Sequence, residues 1–217
     1  LPAAEPEAAE GAGAEAAAAS DWEHWSAGNE VGNLSSLQRG ARNYMNYCVT
    51  CHSLKYLRYS RMAEDLQIPT EMLQKYLMPI EAKPADYIIS SLNDADAEIW
   101  FGKAPPDLSL MARARHGGVD YIYRFLKTFY TDTTSTTLTN NLVLAGTAMP
   151  AVLSDLGGVQ AAVYRNVERV VAGKTVTEKE FSHFETTTPG RMTPAQFDDF
   201  VRDTVNFLDY VSEPTQV

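Results

Sequence analysis

Three shortages narrow the class of this protein before any motif is considered. Only two cysteines occur among 217 residues, which is too few for a disulfide framework. No apolar run approaches the roughly 18 residues that a membrane-spanning helix needs. The 18 Lys and Arg against 28 Asp and Glu give a net charge of −10, which argues against a nucleic-acid partner because phosphates bind cationic side chains. The acidic surface suits a basic protein partner, although solubility alone explains it equally well.

Composition also divides the chain into two parts. Residues 1–20 are rich in Ala, Glu, Gly and Pro, and they carry four glutamates and no basic residue. They lack the basic segment and the continuous apolar core of a signal peptide, so we predict a disordered acidic arm. Aromatic residues begin at Trp22, and we predict one folded domain over residues 21–217.

Helical periodicity dominates the folded part. Apolar side chains at helical spacing predict helices over residues 35–47 and 119–130. A further helix is predicted over residues 159–171, with a covering segment as the alternative. The clearest helix follows Thr193, which is the N-cap of a capping box with Gln196. No region is rich in strand signals, so the predicted fold class is all-α.

Cys48, Cys51 and His52 form the motif that carries chemistry. Two thiols one helical turn apart can reach the two vinyl groups of a haem, and the next residue then presents an imidazole to the iron. A structural zinc site would need further Cys or His ligands, and the sequence has no other cysteine. A redox dithiol of the thioredoxin type would follow a strand, whereas a predicted helix precedes this motif. We therefore predict one covalently attached haem c with His52 as an iron ligand.

The residues alone do not identify the ligand on the opposite side of the iron. Electron-transfer haems usually use Met or His there, and Met raises the reduction potential. Met149 follows small residues and precedes Pro150, which allows a loop to cross the porphyrin face closely. Met78 shares the Met-Pro pair but ends a short predicted helix, and it is the second candidate. The remaining candidates fit packing or surface positions better: Met45, Met62, Met72, Met111, Met192, His24, His116 and His183.

Two further groups would hold such a haem. The second ring nitrogen of His52 needs an acceptor, which the rigid Pro105-Pro106 loop can supply through a backbone carbonyl. Arg113 and Arg115 are the nearest cations for the haem propionates, although two solvated arginines are an equally good interpretation.

Two sequence blocks are more specific than the haem motif. They are Ala-Pro-Pro-Asp-Leu-Ser at residues 104–109 and Ala-Arg-Ala-Arg-His-Gly-Gly at residues 112–118. Further matches lie around the haem motif, at Met149-Pro150, and in the last helix up to residues 212–214. Together they resemble the cytochrome c1 family, the haem subunit of ubiquinol–cytochrome c reductase, in its bacterial form.

The resemblance implies a set of site residues. It assigns haem binding to Cys48, Cys51, His52, Met149, Pro106 and Arg115. The cysteines would form the thioethers, and the histidine and Met149 would ligate the iron. The proline carbonyl would accept from the proximal histidine, and the arginine would lie near a propionate. The implied fold is an all-α class I cytochrome c core with family-specific insertions, in which the first and last helices cross near the haem.

The resemblance also implies a function. The haem would accept one electron from the Rieske iron–sulfur protein and pass it to a soluble basic cytochrome c, in a complex with cytochrome b. No residue would act as a catalytic acid or base. Family members have one C-terminal membrane helix, and we expect such an anchor, absent from these 217 residues, to hold the protein at the periplasmic face of a bacterial inner membrane.

Two other functions stay open on the residues alone. One is a freely diffusing periplasmic c-type cytochrome that belongs to no membrane complex. The other is a haem peroxidase or sensor in which the sixth iron position is open.

Overall fold

A computed structural model describes residues 21–216 of the chain. The predicted acidic arm over residues 1–20 lies outside the described residues. The described part combines a helical core with three separate two-stranded antiparallel sheets. The expectation of an all-α fold is therefore wrong, because about a fifth of the described residues pair as strands.

The helices and strands follow one another along the chain. The α-helices are α1 Leu34–Tyr47, α2 Tyr59–Asp65, α3 Thr70–Met72, α4 Asp94–Phe101, α5 Met111–Ala114, α6 Gly118–Lys127, α7 Ser154–Gly157 and α8 Pro194–Ser212. A π-helical turn at Leu73–Leu77 continues α3, and short 3₁₀ turns lie at Trp22–His24 and Pro214–Gln216. The strands are β1 Leu54–Arg58, β2 Tyr87–Ile88, β3 Phe129–Thr131, β4 Thr139–Asn141, β5 Val159–Val171 and β6 Lys174–Thr188. They pair as β1 with β2, β3 with β4, and β5 with β6. No helix within residues 21–216 has both the length and the apolar composition that a membrane span requires.

The core is built around the crossing of α1 and α8. Gly40 on α1 lies directly against the backbone of Asp203 and the side chain of Phe207 on α8, so that a Cβ atom at Gly40 would lie 2.6 Å from the Phe207 Cβ. The Tyr44 ring, one turn further along α1, lies 5.8 Å from the Phe207 ring. Glycine is required here because a side chain would separate the two helices.

A buried polar cluster orients the same crossing. Asp203 is 7% exposed, and its carboxylate accepts from the Ser36 hydroxyl at 2.7 Å and from the Arg39 guanidinium at 2.6 Å. The Asn206 amide donates to the Ser36 hydroxyl at 2.9 Å. Since each buried polar group here has a partner, sliding or rotating α1 against α8 would break several hydrogen bonds at once.

The long helix α8 begins where the sequence predicts it. Thr193 accepts from the Gln196 N–H, and the Gln196 side chain accepts in return from the Thr193 N–H at 2.9 Å. Pro194 occupies the first helical turn, where its missing N–H costs nothing. The prediction for residues 119–130 is correct only in part, because α6 ends at Lys127 and Phe129 starts β3.

The predicted helix over residues 159–171 is wrong. This segment is β5, which pairs with β6 through thirteen aligned residue positions in a long antiparallel ribbon. Valines recur at spacings that fit a helix face as well as a strand, so the period of this segment alone is ambiguous. The deciding features are the Thr-rich partner strand and the two-residue turn. In that turn Ala172 and Gly173 have φ of +50° and +76°, as the primed hairpin turns require.

We predict that Gly40→Ala destabilises the protein by about 3 kcal/mol, because the added methyl group overpacks the closest contact of the core. Guanidinium denaturation followed by circular dichroism would measure the loss. Gly32→Ala is the matched control, since a Cβ there meets no atom within 4 Å, and its effect should stay within about 0.5 kcal/mol. Equal stability of the two variants would contradict the close crossing.

Candidate haem site

The turn that follows α1 carries Cys48, Cys51 and His52. The Cys51 and His52 N–H groups donate to the Cys48 carbonyl at 3.1 and 2.9 Å, so the three residues form one compact helical turn. Both cysteines are free thiols of intermediate burial. Desolvation raises the pKa of the Cys48 thiol to about 12, and the neighbouring Cys51 adds to the shift. The arrangement places the two sulfurs one turn apart beside a single imidazole, which is the spacing a haem with two thioether links needs.

His52 is oriented by the loop of consecutive prolines. Its Nδ1 lies 2.7 Å from the Pro106 carbonyl oxygen, and because a carbonyl can only accept, Nδ1 carries the proton. Nε2 then keeps its lone pair, as an iron ligand must. Burial lowers the pKa of His52, and the Pro106 carbonyl opposes that shift. The neutral imidazole, which is the ligating form, is therefore favoured.

Two residues beyond the predicted set hold this geometry. The buried Tyr44 hydroxyl donates to the His52 carbonyl, which ties the motif to α1. The Asp107 carboxylate accepts from the Lys55 N–H and from the Ser109 N–H, each at 2.9 Å. It therefore joins the Pro106 loop to the strand that follows His52. The Asp-x-Ser pattern after two prolines is an Asx-turn signal, which could have identified Asp107 from the sequence.

Ser53 adds two more links between the same segments. Its carbonyl accepts from the Leu108 N–H at 2.9 Å, and its hydroxyl accepts from the Ser90 N–H at 2.8 Å. These bonds hold the residue that follows the histidine against two distant segments, so the imidazole is positioned by backbone that cannot shift independently.

Met149 is partly buried. Together with Pro150 it lines a cavity of about 1010 Å³ between α6, the base of the β5–β6 ribbon and the start of α8. Met78, the second candidate, instead packs against the hydrophobic core. His183, one of the remaining ligand candidates, is partly buried and lines the same cavity as Met149. Within residues 21–216, none of Cys48, Cys51 and His52 lines this cavity.

The two arginines proposed for the propionates are in different situations. Arg113 forms an ion pair with Glu213 at 2.7 Å. Arg115 makes no ion pair with any described residue; its Nε lies 3.4 Å from the Met111 sulfur and its guanidinium lies 5.4 Å from the Tyr121 ring centre. Arg115 is thus the arginine whose charge stays available to an anionic group.

The site residues therefore fall into two sets. The structure brings the two cysteines, His52 and Pro106 together, but within residues 21–216 no hydrogen bond or ring contact links Met149 or Arg115 to them. Nor does any group of three or more His, Cys, Asp and Glu side chains in that range converge to hold a bare metal ion. Two adjacent thiols beside one imidazole with a free Nε2 fit a thioether-linked haem.

Comparison with known proteins adds an independent finding. Residues 24–217 match the Cytochrome C1 family. The chain is 40% identical over 201 residues to cytochrome c1 of Allochromatium vinosum, which covers 90% of this chain and 78% of that protein. It is 37% identical over 179 residues to the ammonia monooxygenase gamma subunit of Nitrosomonas europaea, covering 82% and 69%. The mitochondrial cytochrome c1 haem protein of Schizosaccharomyces pombe is 34% identical over 116 residues, covering 52% and 29%.

We predict that Asp107→Ala destabilises the haem-loaded protein by roughly 1–3 kcal/mol, because two backbone N–H groups lose their acceptor. Denaturation in urea, followed by circular dichroism, would measure this. Asp107→Asn keeps one acceptor oxygen and should lose about half as much. If both variants were as stable as the parent, the hydrogen bonds of Asp107 that join the proline loop to β1 would not contribute to stability.

Proposed function

The chain belongs to the cytochrome c1 family, and on that basis we propose that it relays single electrons from the Rieske iron–sulfur protein to a soluble cytochrome c. The earlier resemblance to this family is confirmed by the family match and by the Allochromatium relative. As a member, the chain is a c-type haem electron carrier of the cytochrome bc1 complex and carries one covalently bound haem.

The observation that supports this proposal most strongly is the helical turn that contains Cys48, Cys51 and His52. We assign the thioether links to the two cysteines and the proximal iron ligand to His52, whose ring the Pro106 carbonyl orients at 2.7 Å. When bound, the haem supplies a one-electron couple that needs no proton acceptor. The chain's own part is to fix the imidazole and to keep its Nε2 unprotonated.

Met149 is our assignment for the second iron ligand. It lines an open cavity beside Pro150, whereas the alternative Met78 packs against the hydrophobic core. Packing in the core restrains Met78, and the resemblance to the family carries the assignment of Met149. For the propionates we favour Arg115 over Arg113, because Glu213 already pairs with Arg113 at 2.7 Å.

The charge distribution supports a basic acceptor near the haem turn. The Leu92 N–H donates to the Thr50 carbonyl at 3.2 Å, which attaches the segment before α4 to the residues between the two cysteines. The helix α4 begins with Asp94 and Asp96, followed by Glu98. A soluble basic cytochrome would meet these carboxylates close to the haem edge, since opposite charges speed and orient encounter.

The remaining parts of the proposal rest on the family alone. We place the haem domain at the periplasmic face of a bacterial inner membrane, beside cytochrome b and within reach of the Rieske protein. The name of the Allochromatium relative supports a bacterial cytochrome c1. No general acid or base is assigned, because electron transfer between haems and iron–sulfur clusters does not require one.

We predict that Met149→Leu abolishes the weak red absorption band that sulfur–iron ligation gives in the oxidised protein and lowers the midpoint potential, because Met ligation raises it. Visible spectroscopy with a redox titration would measure both. Met78→Leu is the matched control and should leave band and potential unchanged. Loss of the band in the Met78 variant alone would move the assignment to Met78.

We also predict that the reduced protein transfers electrons to a basic cytochrome c more slowly as salt rises. Stopped-flow rates should fall steeply between about 0.01 and 0.15 M ionic strength, where the Debye length shortens from about 30 to about 8 Å. Glu98→Gln should weaken this dependence, whereas Glu71→Gln, which removes the same charge from α3, should not. A rate that is independent of salt would contradict electrostatic steering.

A further inference from the structure

The segment that carries Met149 depends on other parts of the chain for its position. Residues 142–149, all of which the structure describes, form neither helix nor strand. The loop begins directly after Asn141, the last residue of β4. Asn141 is 1% exposed, and a polar side chain that is buried to this degree requires hydrogen-bond partners.

The Asn141 side chain ties the start of the loop to the C-terminal end of α6. Its amide nitrogen donates to the Phe125 carbonyl at 2.8 Å, and its amide oxygen accepts from the Thr128 hydroxyl at 3.3 Å. Phe125 lies in the last turn of α6, and the last carbonyls of a helix lack acceptable donors within the helix itself. The asparagine amide therefore supplies a hydrogen bond that the helix end needs, and its removal would leave a buried carbonyl unpaired.

The same amide oxygen fixes the first residues of the loop. It accepts from the Val143 N–H at 2.9 Å and from the Leu144 N–H at 3.2 Å, which is the pattern of an Asx-turn. The neighbouring Asn140 side chain accepts from the Gly146 N–H at 2.8 Å. Two consecutive asparagines thus hold three backbone N–H groups of the loop.

One turn then leads from Leu144 to Met149. The Thr147 N–H donates to the Leu144 carbonyl at 3.2 Å, and Gly146, at the third position of this turn, has a φ of +71°, which favours glycine. Thr147 is 6% exposed, and its hydroxyl accepts from the Met149 N–H at 3.3 Å. Hydrogen bonds therefore connect Asn141 to the methionine step by step, so a displacement at Asn141 would be passed on to Met149.

We propose that Asn141 is a positioning residue that holds the loop of Met149 against α6 and thereby sets where the methionine sulfur meets the iron. This inference rests on the function proposed above, in which Met149 is the second iron ligand. Asn141 acts through the backbone of the loop. Loss of its amide weakens the bond between sulfur and iron without removing the sulfur.

Asn141→Ala tests the inference in the haem-loaded chain. A weaker sulfur ligand lowers the midpoint potential, because Met ligation raises it, and it weakens the red absorption band. Added imidazole, which competes with the sulfur for the iron, should bind with a dissociation constant that is roughly tenfold lower, the equivalent of about one lost hydrogen bond.

Asn141→Ser is the conservative variant. The serine hydroxyl can accept from the Val143 N–H in a weaker form of the same turn, but it cannot reach the Phe125 carbonyl in place of the amide. All three shifts should keep their direction and become smaller. This variant measures the effect if Asn141→Ala does not fold.

Asn43→Ala is the matched control for a general loss of stability. Asn43 is 3% exposed, and its amide donates to the Phe200 carbonyl and to the Thr204 hydroxyl, each at 3.2 Å. Its removal also leaves buried partners unpaired, so thermal unfolding should show a similar loss of stability. The midpoint potential, the red band and the imidazole affinity should remain those of the parent.

The outcomes separate this inference from the assignment of the ligand. A red band that survives in Met149→Leu would overturn the ligand assignment, and the role of Asn141 with it. Loss of the band in Met149→Leu, together with parental potential and imidazole affinity in both Asn141 variants, would overturn the positioning role alone. Equal shifts in Asn43→Ala would also overturn it, because a general loss of stability would then explain them.

Discussion

The close crossing of α1 and α8 is the contact on which the rest of the structure depends. Gly40 allows the backbone of α8 to lie directly against α1, and the buried Asp203 carboxylate holds the two helices in one orientation through Ser36 and Arg39. Tyr44, one turn beyond the glycine, contacts Phe207 and donates to the His52 carbonyl. The position of the haem turn is thus set by the contact between the first and last helices.

The second constraint is the pair of bonds that hold His52 from opposite ends. Its backbone carbonyl is tied to α1 through Tyr44, and its ring is tied to the Pro106 carbonyl. Asp107 and Ser53 then hold the proline loop against β1. An imidazole that is fixed by backbone groups on two sides would reorganise little if it ligated an iron that changes its charge, and a small reorganisation favours rapid electron transfer.

The β5–β6 ribbon is stabilised by different interactions from those of the helical core. Its inner half joins the molecule through Gln160, whose amide donates to the Lys127 and Phe129 carbonyls at 3.0 and 2.8 Å. In its outer half, the backbone pairing of β5 with β6 is accompanied by exposed cross-strand ion pairs, such as Arg165 with Glu180 at 2.9 Å. Exposed ion pairs contribute little stability. The ribbon therefore departs from the helical core both in structure and in what stabilises it.

The sequence by itself determined those features whose physical cause lies within a few residues. The capping box at Thr193, the helix before Cys48 and the haem motif follow from local spacing, whereas the crossing of the first and last helices was implied by the family resemblance. What only the tertiary structure decided are the pairings between distant segments. The Asp107 carboxylate accepts from the Lys55 N–H, 52 residues away, and residues 159–171, whose period fits a helix or a strand, became a strand because residues 174–188 lie beside them. Local periodicity cannot choose between two structures when the free energy that separates them comes from a partner elsewhere in the chain.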